Sequence, residues 1–282
     1  MGVMNRLNLS TLGLALLVLA CAPSSQAEPT GGHYVAMGSS FAAGPGITKS
    51  AEPPPARCRR SADNYAHQLA ARRNLALTDV SCSGATTDAI LEPWGHQPAQ
   101  IEAVLPETTL VTVTIGGNDL GYMTGLLAAA CQTLASNRAD PVALDRCGPI
   151  PHPDDADYVR LEAAMTRIAV EVKARAPSAR LVFVNYMTVL PQAGSCALAP
   201  LAPEAAKNSR TLARKLLALT AKVAKAQGAE VFSAASLSRT HSVCARHPWM
   251  NGYPAPAGGA AFHPNLAGMT AVAEALDRQL FH

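Results

Sequence analysis

The sequence predicts a three-layer α/β/α domain built on a central parallel sheet. Two observations carry this: short β-branched runs alternate with amphipathic stretches of helical period, and no linker-type break in composition divides them. The length of 282 residues suffices for one large core.

The elements follow in order. Residues 33–37 (His-Tyr-Val-Ala-Met) read as a short buried strand running into the turn Gly38-Ser39-Ser40. A Pro-rich loop covers 52–55, and 64–73 has helical spacing at Ala66, Leu69 and Ala70. A second strand is expected at 75–80. The strongest strand signal lies at 109–115, β-branched and stopped by Gly116-Gly117. Leu161, Met165, Ile168 and Val172 place an amphipathic helix over 158–175, which Pro177 ends. A strand over 180–185, a long helix over 203–227 ended by Gly228, and a short strand over 230–232 come next. The closing helix spans 265–280, with Asn265 as its N-terminal cap. No internal repeat is visible.

Composition narrows the function classes. Net charge is +3 with no long basic run, which argues against a nucleic-acid footprint. The small clusters Arg57, Arg59, Arg60 and Arg72, Arg73 read as solvated surface. The N-terminus reads as an export signal: Arg6 precedes an apolar core over 11–20 that is too short to span a bilayer. Ser25-Gln26-Ala27 offers a cleavage site, giving a signal over 1–27 and one mature domain over 28–282. Val18-Leu19-Ala20-Cys21 offers a lipoprotein alternative ending before Cys21. Six further cysteines behind such a signal imply disulfides. Of the fifteen formal pairings, the sequential set staples local excursions without threading the chain: Cys58–Cys82, Cys131–Cys147 and Cys196–Cys244. No Cys-x-x-Cys pair or His-Glu-x-x-His helix suggests a metal, and no cofactor is expected.

In an open parallel sheet the active site lies beyond the carboxyl ends of the strands. The residues there are Gly38-Ser39-Ser40, then Ser81-Cys82-Ser83-Gly84-Ala85, then Gly116-Gly117-Asn118-Asp119, and finally Phe262-His263-Pro264-Asn265 near the C-terminus. A serine hydroxyl needs a base, and histidine titrates in the useful range. Attack on an ester creates an oxyanion that fixed donors must meet. Glycine backbone and an uncharged asparagine amide supply such donors.

These four blocks, in this order, resemble the signatures of the SGNH (GDSL-like) hydrolases, and the resemblance covers almost all of the mature chain. It implies the flavodoxin-like fold of that superfamily, with Ser40 as nucleophile and His263 as catalytic base. It also implies an oxyanion hole from the Ser40 and Gly84 N–H groups and the Asn118 side chain. The six cysteines and Trp249-Met250-Asn251-Gly252 look most like the secreted actinobacterial lipase and esterase branch. Two departures stand out. Ser39 occupies the family's aspartate position, and Ala260 replaces the carboxylate usual three residues before the histidine. By analogy with relatives lacking that acid, the backbone carbonyl of Ala260 or Ala261 orients the imidazole, giving a Ser–His dyad. Asp119 is expected to cap the helix that follows it.

The expected activity is hydrolysis of a small-molecule or lipid ester by an extracytoplasmic monomer, secreted or associated with the cell envelope or a membrane. The alternatives are a polysaccharide O-deacetylase on the same site and a catalytically silent surface binding protein. No Gly-x-Ser-x-Gly elbow surrounds Ser40, which disfavours the larger α/β-hydrolase fold. His33, His67, His96, His152, His241, His247 and His282 fall in no motif. Trp94 and Trp249 suit an acyl pocket or a core or rim position equally.

Overall fold

A computed structural model describes residues 1–2, 31–54, 56–256 and 259–282. The export-signal reading of 1–27, with Cys21, falls outside them apart from Met1 and Gly2. Five strands form one all-parallel sheet: β1 (His33–Gly38), β2 (Ala76–Asp79), β3 (Thr108–Thr114), β4 (Arg180–Val184) and β5 (Glu230–Phe232). Their order is β2-β1-β3-β4-β5. This is the flavodoxin-like order, in which the chain reverses direction of growth between β1 and β3. The expected three-layer α/β/α architecture is therefore present.

Burial explains why the strands expected from the sequence form. β3 sits in the middle of the sheet, and Leu110 through Thr114 are all buried, as a helix-covered parallel sheet demands. Its two buried threonines are not orphaned: Tyr34 Oη lies 2.8 Å from Thr112 Oγ1 and Tyr65 Oη 3.2 Å from Thr114 Oγ1.

Nine helices flank the sheet among the described residues: α1 (Ser40–Ala43), α2 (Tyr65–Arg73), α3 (Thr87–Leu91), α4 (Tyr122–Asn137), α5 (Pro141–Arg146), α6 (Asp155–Arg175), α7 (Pro203–Gln227), α8 (Ala234–Leu237) and α9 (Leu266–Phe281). α2 packs on α9, while α6 packs on α3 and α7, and α4 on α7. The Arg72, Arg73 pair is not simply solvated, contrary to the sequence expectation: Arg72 pairs with Glu274 at 2.9 Å and Arg73 with Asp277, tying α2 to α9. Asn265 caps α9 by accepting from the Gly268 N–H at 3.0 Å. The three disulfides are Cys58–Cys82, Cys131–Cys147 and Cys196–Cys244. Among the described residues no helix is long and apolar enough to cross a membrane.

Candidate active site

Gly38 ends β1 at φ 136°, and a Cβ there would meet Thr114 O at 2.4 Å, so only glycine lets β1 leave the sheet beside β3. The turn delivers Ser40 as the first residue of α1. A helix start leaves its N–H without an intrahelical acceptor, so the Ser40 N–H points out of α1 unclaimed. Ser40 and His263 are both buried, yet they come from opposite ends of the chain. His263 Nε2 lies 2.7 Å from Ser40 Oγ.

The imidazole is held from its other side. Nδ1 lies 2.7 Å from Ala261 O. A carbonyl only accepts, so Nδ1 carries the hydrogen and Nε2 is left as acceptor for the Ser40 hydroxyl. The neighbouring carbonyl of Ala260 is occupied by the side chain of Asn251, whose Nδ2 donates at 3.2 Å. Asn251 also donates its N–H to His263 O at 2.8 Å and accepts the Phe262 N–H at 3.1 Å. These bonds, with the Tyr253–Phe262 ring stack at 6.0 Å, hold Phe262 at the left-handed φ of 59°. Burial pulls the His263 pKa from 6.5 to about 4. The Ala261 carbonyl opposes that shift, and the charge of Arg59 adds to it.

Gly84 has φ 90° and lies exposed on the loop after β2; a Cβ there would sit 3.2 Å from the Trp94 ring. Its N–H makes no hydrogen bond among the described residues. Asn118 follows β3, and its Nδ2 donates to Ala85 O at 2.8 Å, which leaves that amide a second N–H. Ser40, Gly84, Asn118 and His263 thus stand on the loops after β1, β2 and β3 and before α9.

Asp119 does something the sequence did not suggest. It does not cap the following helix: α4 starts from Gly121, with no side-chain cap. Instead the Asp119 carboxylate accepts the Thr87 N–H at 3.0 Å and the Thr87 hydroxyl, capping α3 across the site. Burial raises its pKa and the Thr87 bonds oppose that. Asn118 and Asp119 together brace the β3 loop against the Gly84 loop. Sequence reasoning also missed Tyr186. Its hydroxyl accepts the Gly117 N–H at 3.0 Å and lies 3.0 Å from Ser39 Oγ, while Phe41 packs between Tyr186 and His263 at 4.6 and 5.2 Å. Ser39 therefore has a buried partner in place of the family's aspartate chemistry. Trp249 stacks on His241 with ring centroids 3.8 Å apart and packs, partly buried, against the core.

The chain is similar over most of its length to known proteins. Lipase 2 of Streptomyces coelicolor is 33% identical over 242 residues, spanning 83% of this chain and 80% of its own. A lipase of Streptomyces rimosus is 27% identical over 240 residues, spanning 84% of this chain and 82% of its own. Among solved structures, phospholipase A1 from Streptomyces albidoflavus NA297 superposes with a TM-score of 0.72 at 25% identity. That alignment covers 88% of this chain and 99% of the other. The extracellular lipase from Streptomyces rimosus gives 0.70 at the same identity and coverage. With residues 36–271 matching the model of the GDSL-like lipase/acylhydrolase family, and those relatives beside it, this chain belongs to that family, within the SGNH hydrolases, and is an ester hydrolase.

Proposed function

We propose that this protein is an exported serine esterase or lipase that cleaves acyl esters through an acyl-enzyme on Ser40. The observation that carries the reading is the continuous line Ser40 Oγ, His263 Nε2, His263 Nδ1, Ala261 O, with both polar contacts at 2.7 Å. Ser40 Oγ attacks the ester carbonyl as its proton passes to His263 Nε2. The new oxyanion faces the N–H groups of Ser40 and Gly84 and the spare N–H of Asn118. Collapse expels the alcohol, which takes the proton from the imidazolium. A water, deprotonated by His263, then attacks the acyl-enzyme and releases the acid. Ala261 O fixes the tautomer in place of a triad carboxylate, without a full charge to stabilise the imidazolium.

Export to an oxidising compartment fits three formed disulfides. The mature form is the single domain 28–282, acting as a monomer without metal or cofactor. The acyl chain has a candidate berth: an apolar groove of about 450 Å³, whose lining includes Tyr186, Met187, Val189, Leu190 and Leu217, lies beside the Ser40 turn through Tyr186.

The test is a fluorophosphonate label and a chain-length series of nitrophenyl esters, with acetylated xylan alongside. Ser40→Ala should abolish labelling, and both Ser40→Ala and His263→Ala should lower turnover at least about 10⁴-fold. Ordinary turnover in Ser40→Ala would remove the mechanism, and preference for acetylated xylan would favour the deacetylase.

A further inference from the structure

The groove beside Tyr186 carries more charge than an alkyl chain needs. Arg210 and Arg214 line it from α7 and Arg239 from just beyond α8, while no Asp or Glu lines it. None of the three has a carboxylate partner among the described residues. Other arginines differ: Arg180 pairs with Glu230 at 2.8 Å, and Arg60 pairs with Glu52 at 2.6 Å, contrary to the solvated reading of its cluster. At the groove, Arg210 gives one N–H to Gly194 O at 3.1 Å and Arg214 one to Thr211 Oγ1 at 2.9 Å, both neutral acceptors. The Arg239 side chain makes no hydrogen bond among the described residues. Each guanidinium therefore keeps N–H groups to spare.

Tyr122 adds a further donor. It lines the same groove, is only 3% exposed, and packs edge-on against Tyr186 with centroids 6.2 Å apart. The Tyr186 hydroxyl is engaged by Ser39 and Gly117, but the Tyr122 hydroxyl has no hydrogen-bond partner among the described residues. A buried hydroxyl left unpaired is costly unless a guest in the groove accepts from it. Burial raises the Tyr122 pKa and the neighbouring Tyr186 adds to that, so the group stays protonated and able to donate. An apolar lining that includes Met187, Leu190 and Leu217 thus meets donors with no anion among them. Arginine stems can cover apolar surface while their heads stay at its edge. The matching guest has an alkyl chain and one planar anion, and a carboxylate fits the guanidinium fork. Ester hydrolysis generates that group.

We propose that this groove binds an alkyl chain ending in a carboxylate, held by Arg210, Arg214, Arg239 and the Tyr122 hydroxyl. The inference rests on the reading of the groove as the acyl berth. Two sources share the chemistry: the fatty acid released by hydrolysis, and an acyl chain with a second acid at its far end. Calorimetry with octanoate and with octanol compares one chain length with and without the charge. It needs no turnover and is run on wild type and Ser40→Ala alike, so it can fail while the Ser40 mechanism stands, and the reverse. Octanoate should bind at least about tenfold tighter than octanol, as charge-assisted bonds provide. R210Q/R214Q/R239Q should bring the two Kd values together, and R210K/R214K/R239K should keep most of the difference. Tyr122→Phe should weaken octanoate about threefold and leave octanol unchanged. Ala213→Trp should abolish binding of both, and added salt should erode the octanoate preference. Kinetics then assign the source. A higher kcat/KM on mono-nitrophenyl suberate than on nitrophenyl octanoate, lost in R210Q/R214Q/R239Q, marks an acid at the far end of the acyl chain. The opposite preference, with octanoate as a competitive inhibitor, marks the released acid. Octanoate that binds no tighter than octanol, keeps its advantage in R210Q/R214Q/R239Q, survives Ala213→Trp or fails to compete with nitrophenyl octanoate overturns the proposal.

Discussion

His263 is 8% exposed, and the water its ring has lost is the main reason its pKa falls from 6.5 to about 4. A base must be neutral to accept a proton, so kcat/KM should hold level from neutral pH down to about 5 and halve near 4. An acid limb centred at 6.5 in the pH profile would contradict the burial argument. The sign for stability is the same: the unfolded chain takes up this proton near 6.5 and the folded one near 4, so stability declines as pH falls through that window. Asn118 tests a different part of the reaction. Asn118→Ala removes a side-chain donor while leaving backbone donors in place, and turnover should drop about 10²–10³-fold with KM little changed. At this scale the candidate site was readable where chemistry restricts the residue type. Serine, glycine, asparagine and histidine at the ends of strands are few, and their order is informative. Ala261 was readable only as one of two carbonyls, because a backbone acceptor has no residue signature; in the structure Ala260 O takes the Asn251 side-chain amide and Ala261 O the His263 ring.

Elements with one buried face were legible from period, and those buried on several faces were not. α6 and α7 show a clear apolar stripe, and their limits match the sequence reading closely, α7 at Pro203–Gln227 without change. α4 was hidden because Tyr122, Met123, Gly125, Leu126, Ala128, Ala129, Ala130 and Ala135 are all buried, which leaves little polar alternation to count. The short helices α1, α3, α5 and α8 span too few residues for a period to appear. The Asp119 link between the β3 loop and α3 was invisible for a related reason: it joins residues 32 positions apart through side-chain geometry. Asp119→Ala should loosen both oxyanion loops and lower kcat about 10–100-fold, the worth of its two bonds from Thr87, while KM moves less. Asp119→Asn keeps an acceptor and should recover part of the loss; equal kcat in all three proteins would show that the brace does not position donors. The groove beside Tyr186 is tested on α7, where Ala213→Trp should fill it. The nitrophenyl ester optimum should then shift to shorter acyl chains, and an unshifted optimum would place the acyl chain elsewhere.

Across the whole molecule, the disulfides separate stability from activity. Cys131–Cys147 closes 16 residues between α4 and α5, away from the catalytic loops. Cys58–Cys82 ends two residues before Gly84. Cys196–Cys244 joins the turn at 196–199 to the stretch leading into Asn251, and the Tyr253 N–H donates to Leu198 O at 2.9 Å, so this bond supports the backbone that braces His263. Chain entropy alone makes each bond worth ~3–4 kcal/mol, with the 48-residue Cys196–Cys244 loop the largest. All three paired Cys→Ser variants should therefore unfold at lower urea. Activity measured well below those midpoints should divide them: the Cys131–Cys147 variant should keep near-normal kcat. The Cys58–Cys82 variant should lose turnover because Gly84 drifts, and the Cys196–Cys244 variant because His263 does. The two causes separate by pH, since only a loosened His263 regains water and moves its acid limb up towards 6.5. An identical kcat and acid limb in all three variants would mean that the core, and not the staples, holds the catalytic loops in place.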